Sequence, residues 1–141
     1  VIDTQLILRA TLNQKSLPAR ILFTLGDYYT LALSTGIRAE IANVLNRPKL
    51  RVKFPSLTKT AIAQTLAVLD TGQLINPIEI PAISRDSKDD IFLATAVANQ
   101  AQYIVSEDKD LLVLSPYQQI QIIDALAFVK ILEQLRDESL Q

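Results

Sequence analysis

Apolar positions recur along the chain at two alternating periods. Val1-Ile2-Asp3 reads as the visible end of a buried strand. Leu6, Ile7 and Leu8, then residues 19–25, read as helical material broken by the turn-rich stretch 13–18. Residues 28–33, rich in β-formers, predict a strand. Ser34 and Thr35 are good helix N-caps, and Ile37, Ile41, Val44 and Leu45 follow at helical spacing until Pro48 marks the end of that helix. A second helix is expected over residues 57–69, and a short strand over residues 74–80, between Gly72 and Pro81. From Asp86 onward the pattern predicts a helix through Ala98, a strand at 103–106, a short helix near Leu111, a strand at 120–123 and a last helix opened by Asp124.

Strands alternating with helices imply a parallel sheet covered on both faces, hence a three-layer α/β/α arrangement around a central, mainly parallel sheet. No repeat, low-complexity tract or linker interrupts the pattern, and 141 residues with 49% hydrophobic content suffice for one sizeable core and not for two. Residues 1–141 therefore read as a single domain, with residues 137–141 expected to fray.

Composition narrows the chemistry. The chain has no histidine, cysteine or tryptophan, which excludes imidazole or thiolate zinc sites, cysteine nucleophiles and Ser-His-Asp triads. A hydrolase built from these residues would draw its ligands and proton-transfer groups from carboxylates, and carboxylate oxygens suit Mg²⁺ or Mn²⁺. No apolar run approaches the roughly 20 residues needed to cross a bilayer, and without cysteine there is no disulfide argument for secretion, so a cytoplasmic location is expected. The net charge of −1 argues neither for nor against nucleic acid.

The acids then fall in a pattern. In an open parallel sheet, ligands collect outside the carboxyl ends of the strands. Asp3 and Asp108 each follow a β-rich apolar run and belong at that rim. At about 100° per residue, Asp89 lies in the middle of the stripe formed by Phe92, Leu93, Ala96 and Val97, whereas Asp90 lies at its edge. An inward carboxylate needs a cation, a donor or a proton. Glu40, at the margin of the Ile37, Ile41 and Val44 stripe, is within reach of the same rim. Each acid alone has a plainer explanation. Asp86 to Asp89 can be a capping box, residues 107–110 a solvated turn, and Glu40 an exposed helix residue. Asp3 has no capping duty unless a helix starts at once. Their joint occurrence at one rim favours a shared site.

These residues resemble the PIN domain family, and especially its branch described as toxins of bacterial toxin–antitoxin modules. The resemblance rests on four segments in order along nearly the whole chain: Val1-Ile2-Asp3-Thr4-Gln5; Glu40 with Val44-Leu45-Asn46-Arg47-Pro48-Lys49-Leu50; Arg85-Asp86-Ser87-Lys88-Asp89-Asp90-Ile91-Phe92-Leu93; and Tyr103 to Leu112. It implies a PIN-like fold and a metal-dependent ribonuclease, with Mg²⁺ or Mn²⁺ held by Asp3, Glu40, Asp89 and Asp108. Asp90 is the alternative to Asp89, and Thr4, Ser106 and Asp110 stand behind the ligands. The resemblance also implies an RNA substrate, a small antitoxin partner and a homodimer. Gln5 departs from the asparagine usual in the family, which leaves open a non-catalytic module that binds RNA or protein. The same Gln5 removes the Asp-x-Asp pattern that a phosphotransferase using Asp3 as nucleophile requires.

Two further expectations follow. Crowded carboxylates without metal should hold a proton near neutral pH, so activity should rise with pH and vanish in chelator. Arg47, Lys49, Arg51 and Lys53 form an alternating basic stretch that suits phosphate contacts, or else a solvated loop or edge strand.

Overall fold

A computed structural model describes residues 1–84 and 86–141; Arg85, which opens the third resembling segment, lies outside the described residues. The chain enters the sheet at once. Val105 N donates to Val1 O at 2.8 Å and Asp3 N to Val105 O at 3.0 Å, with Ile2 bridged in parallel to Val105. That places Val1 to Asp3 beside β3 (Tyr103–Val105), which pairs in parallel with β4 (Gln121–Ile123) so that Ile104 faces Ile122. A second parallel pair joins β1 (Ala32–Leu33) to β2 (Gln73–Leu74). Both ladders among the described residues are parallel, as the alternation of strands and helices requires, and the architecture is α/β.

The strands are shorter than the sequence suggests. Of the β-rich stretch 28–33 only Ala32 and Leu33 pair; Gly26–Tyr28 is a 3-10 turn, and the Tyr29 ring packs edge-on against Phe128 at 5.4 Å. The strand expected over 74–80 reduces to Gln73–Leu74. Gln73 N and Ile75 N donate to Leu31 O and Leu33 O, after which Pro77 and Pro81 offer no N–H to extend a ladder.

Helix starts are set by side-chain caps. α1 (Thr4–Leu12) begins directly after Asp3, whose carboxylate accepts from Gln5 N, so Asp3 does carry a capping duty after all. α2 (Leu17–Ala19), capped by Ser16, continues as a π-helical turn, Arg20–Thr24. Ser34 caps α3 (Thr35–Leu45), and Thr58 caps α5 (Lys59–Asp70). Between them Pro48 opens rather than merely ends a helix, α4 (Pro48–Lys53), because a proline in the first turn has no N–H to waste. The basic stretch 47–53 is thus mostly helical, neither loop nor edge strand, and its charges spread around the helix. A 3-10 turn, Ser87–Asp89, leads into α6 (Asp90–Ala98). Asp108 caps α7 (Lys109–Leu112) and Asp124 caps α8 (Ala125–Ser139). α8 runs through Ser139, past the expected fraying point at 137. Gln134 Nε2 donates to Glu138 Oε1, and Ser139 Oγ to Arg136 O, which ties down the last turn.

Leu6, Ile37, Ile41, Leu93, Ile104 and Leu132 are fully buried at the centre of the core. Burying side chains of this size contributes about 1.5–3 kcal/mol each. Inside it, Thr11 Oγ1 donates to Ile7 O at 2.9 Å and, with that proton used, accepts from Thr65 Oγ1 at 2.7 Å, joining α1 to α5. Gly72 marks where α5 turns into β2. A Cβ there would sit 2.7 Å from Leu33 Cδ2 and 2.8 Å from the Leu31 carbonyl oxygen, a backbone atom that cannot move aside. Gly72→Ala is therefore expected to destabilise the fold by about 2 kcal/mol, read as a melting temperature lower by roughly 5–10 °C; an unchanged melt contradicts this close packing.

Candidate active site

At the carboxyl end of Val1 to Asp3 and of β3 lies a cleft of about 310 Å³ whose acidic lining is Asp3, Glu40, Asp86, Asp89, Glu107 and Asp108. The expected Asp3, Glu40, Asp89 and Asp108 all face it, although they come from four separate segments. Thr4 lines it too. A larger cleft of about 450 Å³, walled by Tyr29, Tyr103 and Phe128, has no acidic or basic side chain in its lining. Size alone does not locate the chemistry.

Asp3 and Asp108 are locked together through Ser106. Ser106 Oγ donates to Asp3 Oδ2 at 2.7 Å and accepts from Asp108 N at 2.9 Å, while Asp3 Oδ1 accepts from Gln5 N at 3.0 Å. Asp108 Oδ1 accepts from Asp110 N at 2.9 Å. Each oxygen of Asp3 and Oδ1 of Asp108 thus has one fixed donor, and a carboxylate oxygen with a single donor keeps a free lone pair. Capping orients these acids and leaves them able to bind. Ser106 is fully buried and does not reach the cleft surface; its part is to hold Asp3. The side chain of Asp110 does not line the cleft, and its backbone N–H is what supports Asp108.

Asp89 and Asp90 are both buried, at 6% and 4% exposure, for different reasons. Asp90 Oδ1 accepts from Ile83 N at 3.2 Å and Ser84 N at 2.7 Å, pinning the preceding segment to α6, and the residue does not line the cleft. Asp89 faces the cleft, and among the described residues its Oδ2 is buried with no hydrogen-bond partner. Burial, then the charge of the neighbouring Asp108, then the charges of Asp86 and Asp3, push its pKa up to about 7.

An orphaned, buried carboxylate oxygen within an all-oxygen donor set fits a hard divalent cation, which would neutralise several acids at once. Asp3, Glu40, Asp89 and Asp108 are the residues that could hold it. Among the described residues no group of three or more acids is arranged as a ready-made coordination shell, and mutual repulsion between carboxylates lacking a cation works against such closure.

Sequence reasoning missed four charged residues of the lining. Asp86 was read as a cap, which it is, accepting from Lys88 N at 3.0 Å. Glu107 accepts from Ala125 N at 3.3 Å, which ties this acid to the start of α8. Arg9 and Lys88 are the two basic residues in the lining. Gln5 and Arg9 are four apart on α1, a spacing that reveals their common face once a helix is placed there. The expected phosphate-contact residues Arg47, Lys49, Arg51 and Lys53 do not line the cleft. Arg51 donates to Asn46 Oδ1 at 3.1 Å, and Lys53 Nζ sits 5.5 Å over the Phe54 ring.

Ser106→Ala strands Asp3 Oδ2 and the Asp108 N–H in a buried site. It is expected to cost about 1–3 kcal/mol of stability and to weaken divalent-cation binding by roughly 10- to 100-fold. Ser106→Thr, which restores a hydroxyl, should recover most of both; calorimetric titration of Mn²⁺ with the two variants checks this.

The sequence model of the PIN domain matches residues 1–110, a span that contains Asp3, Glu40, Asp89, Ser106 and Asp108. Domains of that family are in general nucleases that act on RNA and use divalent metal ions. No curated protein and no solved structure matches the chain significantly. No helix among the described residues is long and apolar enough to cross a membrane. With the family match covering most of the chain and its parallel α/β framework, the chain belongs to the PIN domain family.

Proposed function

We propose that this chain is an endoribonuclease that hydrolyses RNA phosphodiester bonds with Mg²⁺ or Mn²⁺ held by Asp3, Glu40, Asp89 and Asp108. The observation that carries the reading is the convergence of these four acids, from four segments, on one cleft in which a buried Asp89 oxygen has no partner. When bound, the divalent cation supplies an activated water and neutralises charge that develops on the phosphate oxygens. The chain's own residues do the rest. Gln5 N–H and Ser106 Oγ hold both oxygens of Asp3, so the cleft is oriented before substrate arrives. Asp89, with its raised pKa, retains a proton near neutral pH and must release it to bind a cation, so activity rises with pH through about 7. Arg47, Lys49, Arg51 and Lys53, outside the cleft, extend contacts along the RNA backbone.

The segments that resemble the toxin branch support a finer reading: a cytoplasmic toxin of a toxin–antitoxin module, a homodimer whose site is covered by a small antitoxin. A second reading, a non-catalytic module that binds RNA or a protein partner, is favoured by Gln5, which lines the cleft and whose side-chain amide has no hydrogen-bond partner among the described residues.

Labelled single-stranded and structured RNA, incubated with Mg²⁺, Mn²⁺ or EDTA, separates the two. Cutting that requires metal and disappears in Asp108→Asn supports the nuclease. Cutting that is unchanged in Asp108→Asn contradicts the site. RNA binding without cutting, in any metal, selects the second reading.

A further inference from the structure

The acid-lined cleft contains an arginine with no part in holding a metal. Arg9 projects from the last turn of α1, four residues beyond Gln5, and both line the cleft, so they share one face of the helix. Six acids line the same cleft. Yet among the described residues the Arg9 guanidinium makes no hydrogen bond and no ion pair, whereas Arg20, Arg38 and Arg136 each have a carboxylate within 4.0 Å. A cation at the end of a helix is favoured by the helix dipole wherever it points. That preference gives no reason for it to stand in the cleft, and the absence of a carboxylate partner leaves its planar fork of donors open. Such a fork matches two oxygens of one phosphate. Lys88, from the 3-10 turn before α6, is the other cation in the lining, so basic groups from two separate segments accompany the acids.

We propose that Arg9 binds a phosphate of the RNA backbone next to the one at the acids, as a positioning residue that fixes where the strand lies in the cleft; this rests on the nuclease reading for its substrate. Arg9 holds no metal and touches no reacting atom. Its contribution is to binding and register, and it offsets the repulsion that the neighbouring carboxylates exert on an incoming polyanion.

The test is fluorescence anisotropy of a labelled single-stranded RNA with wild type, Arg9→Gln and Arg9→Lys, in Ca²⁺ and over a range of salt, beside steady-state cleavage in Mn²⁺. Arg9→Gln is expected to weaken RNA binding about tenfold. It should also lower the slope of log affinity against log salt by about 0.7, the value for one single-strand phosphate contact. Arg9→Lys should keep the slope and part of the affinity. In cleavage, KM should rise while kcat stays within about twofold. Unchanged affinity and salt slope in Arg9→Gln overturn the inference even where wild type cuts RNA. If wild type does not cut but its RNA binding depends on Arg9 in this way, the contact stands and the nuclease reading falls.

Discussion

Asp89→Asn is expected to abolish metal-dependent RNA cleavage, by roughly 10²- to 10³-fold or more, while making the metal-free protein more stable at pH 8. The two effects share one cause. Asp89 is buried beside Asp108, Asp86 and Asp3, and its Oδ2 has no donor among the described residues, so its charge is costly without a cation. Asparagine has nearly the same shape and no charge. Removing the acid should therefore stabilise the fold by about 2 kcal/mol at pH 8, with the gain largely gone near pH 4, where the folded wild-type acid holds its proton and carries no charge. Urea unfolding of both proteins in EDTA at the two pH values measures this, beside the cleavage assay. A variant that is destabilised at pH 8 would indicate that the Asp89 charge is already compensated within the protein, leaving no need for a cation.

The second large effect is the response of wild type to pH and metal. The pKa of Asp89 is raised from 3.8 to about 7 on folding, so between those values the folded chain binds more protons than the unfolded one. Stability contributed by this group is full below about 4 and is lost as pH rises through about 7. Metal-free protein should accordingly become less stable from pH 4 to 8, against the usual behaviour of carboxylates held in ion pairs. Saturating Mn²⁺ should reverse the loss at pH 8, and at about pH 6, where the folded Asp89 still holds its proton, binding should release close to one proton per site. Thermal melts with and without Mn²⁺, and titrations in buffers of different ionisation enthalpy, measure both. Stability that rises steadily with pH in EDTA would contradict the crowded, uncompensated cleft.

Much of this was legible in the sequence because caps and periodicities are local. Ser34 and Asp124 announced their helices, and the apolar runs before Asp3 and Asp108 led to one rim. Legibility failed where local rules do not fix direction. Asp89 and Asp90 were separated by a helical wheel, but Ser87–Asp89 is a 3-10 turn, whose roughly 120° per residue breaks the phase of the α-helix that follows. Both acids are buried as a result, and only the donors Ile83 N and Ser84 N reveal that Asp90 is structural. Glu107 sits outside any helix or strand and carries no periodic signal for the direction of its side chain. The strands were overestimated at 28–33 and 74–80 because β-forming residues there pack as turns and loop, and a ladder needs a partner as well as propensity. The basic run at 47–53 alternates in sequence, yet Pro48 starts a helix there and removes the alternation in space.

The central claim is that Asp3, Glu40, Asp89 and Asp108 form one divalent-cation site. Its most direct test is Mn²⁺ binding without RNA, by electron paramagnetic resonance of the free ion at pH 8, with wild type, Asp3→Asn and Asp89→Asn. Saturable binding to wild type, lost or weakened at least about tenfold in both variants, is the expected result. Wild type that binds no Mn²⁺ saturably, or variants that bind it as tightly as wild type, would contradict it.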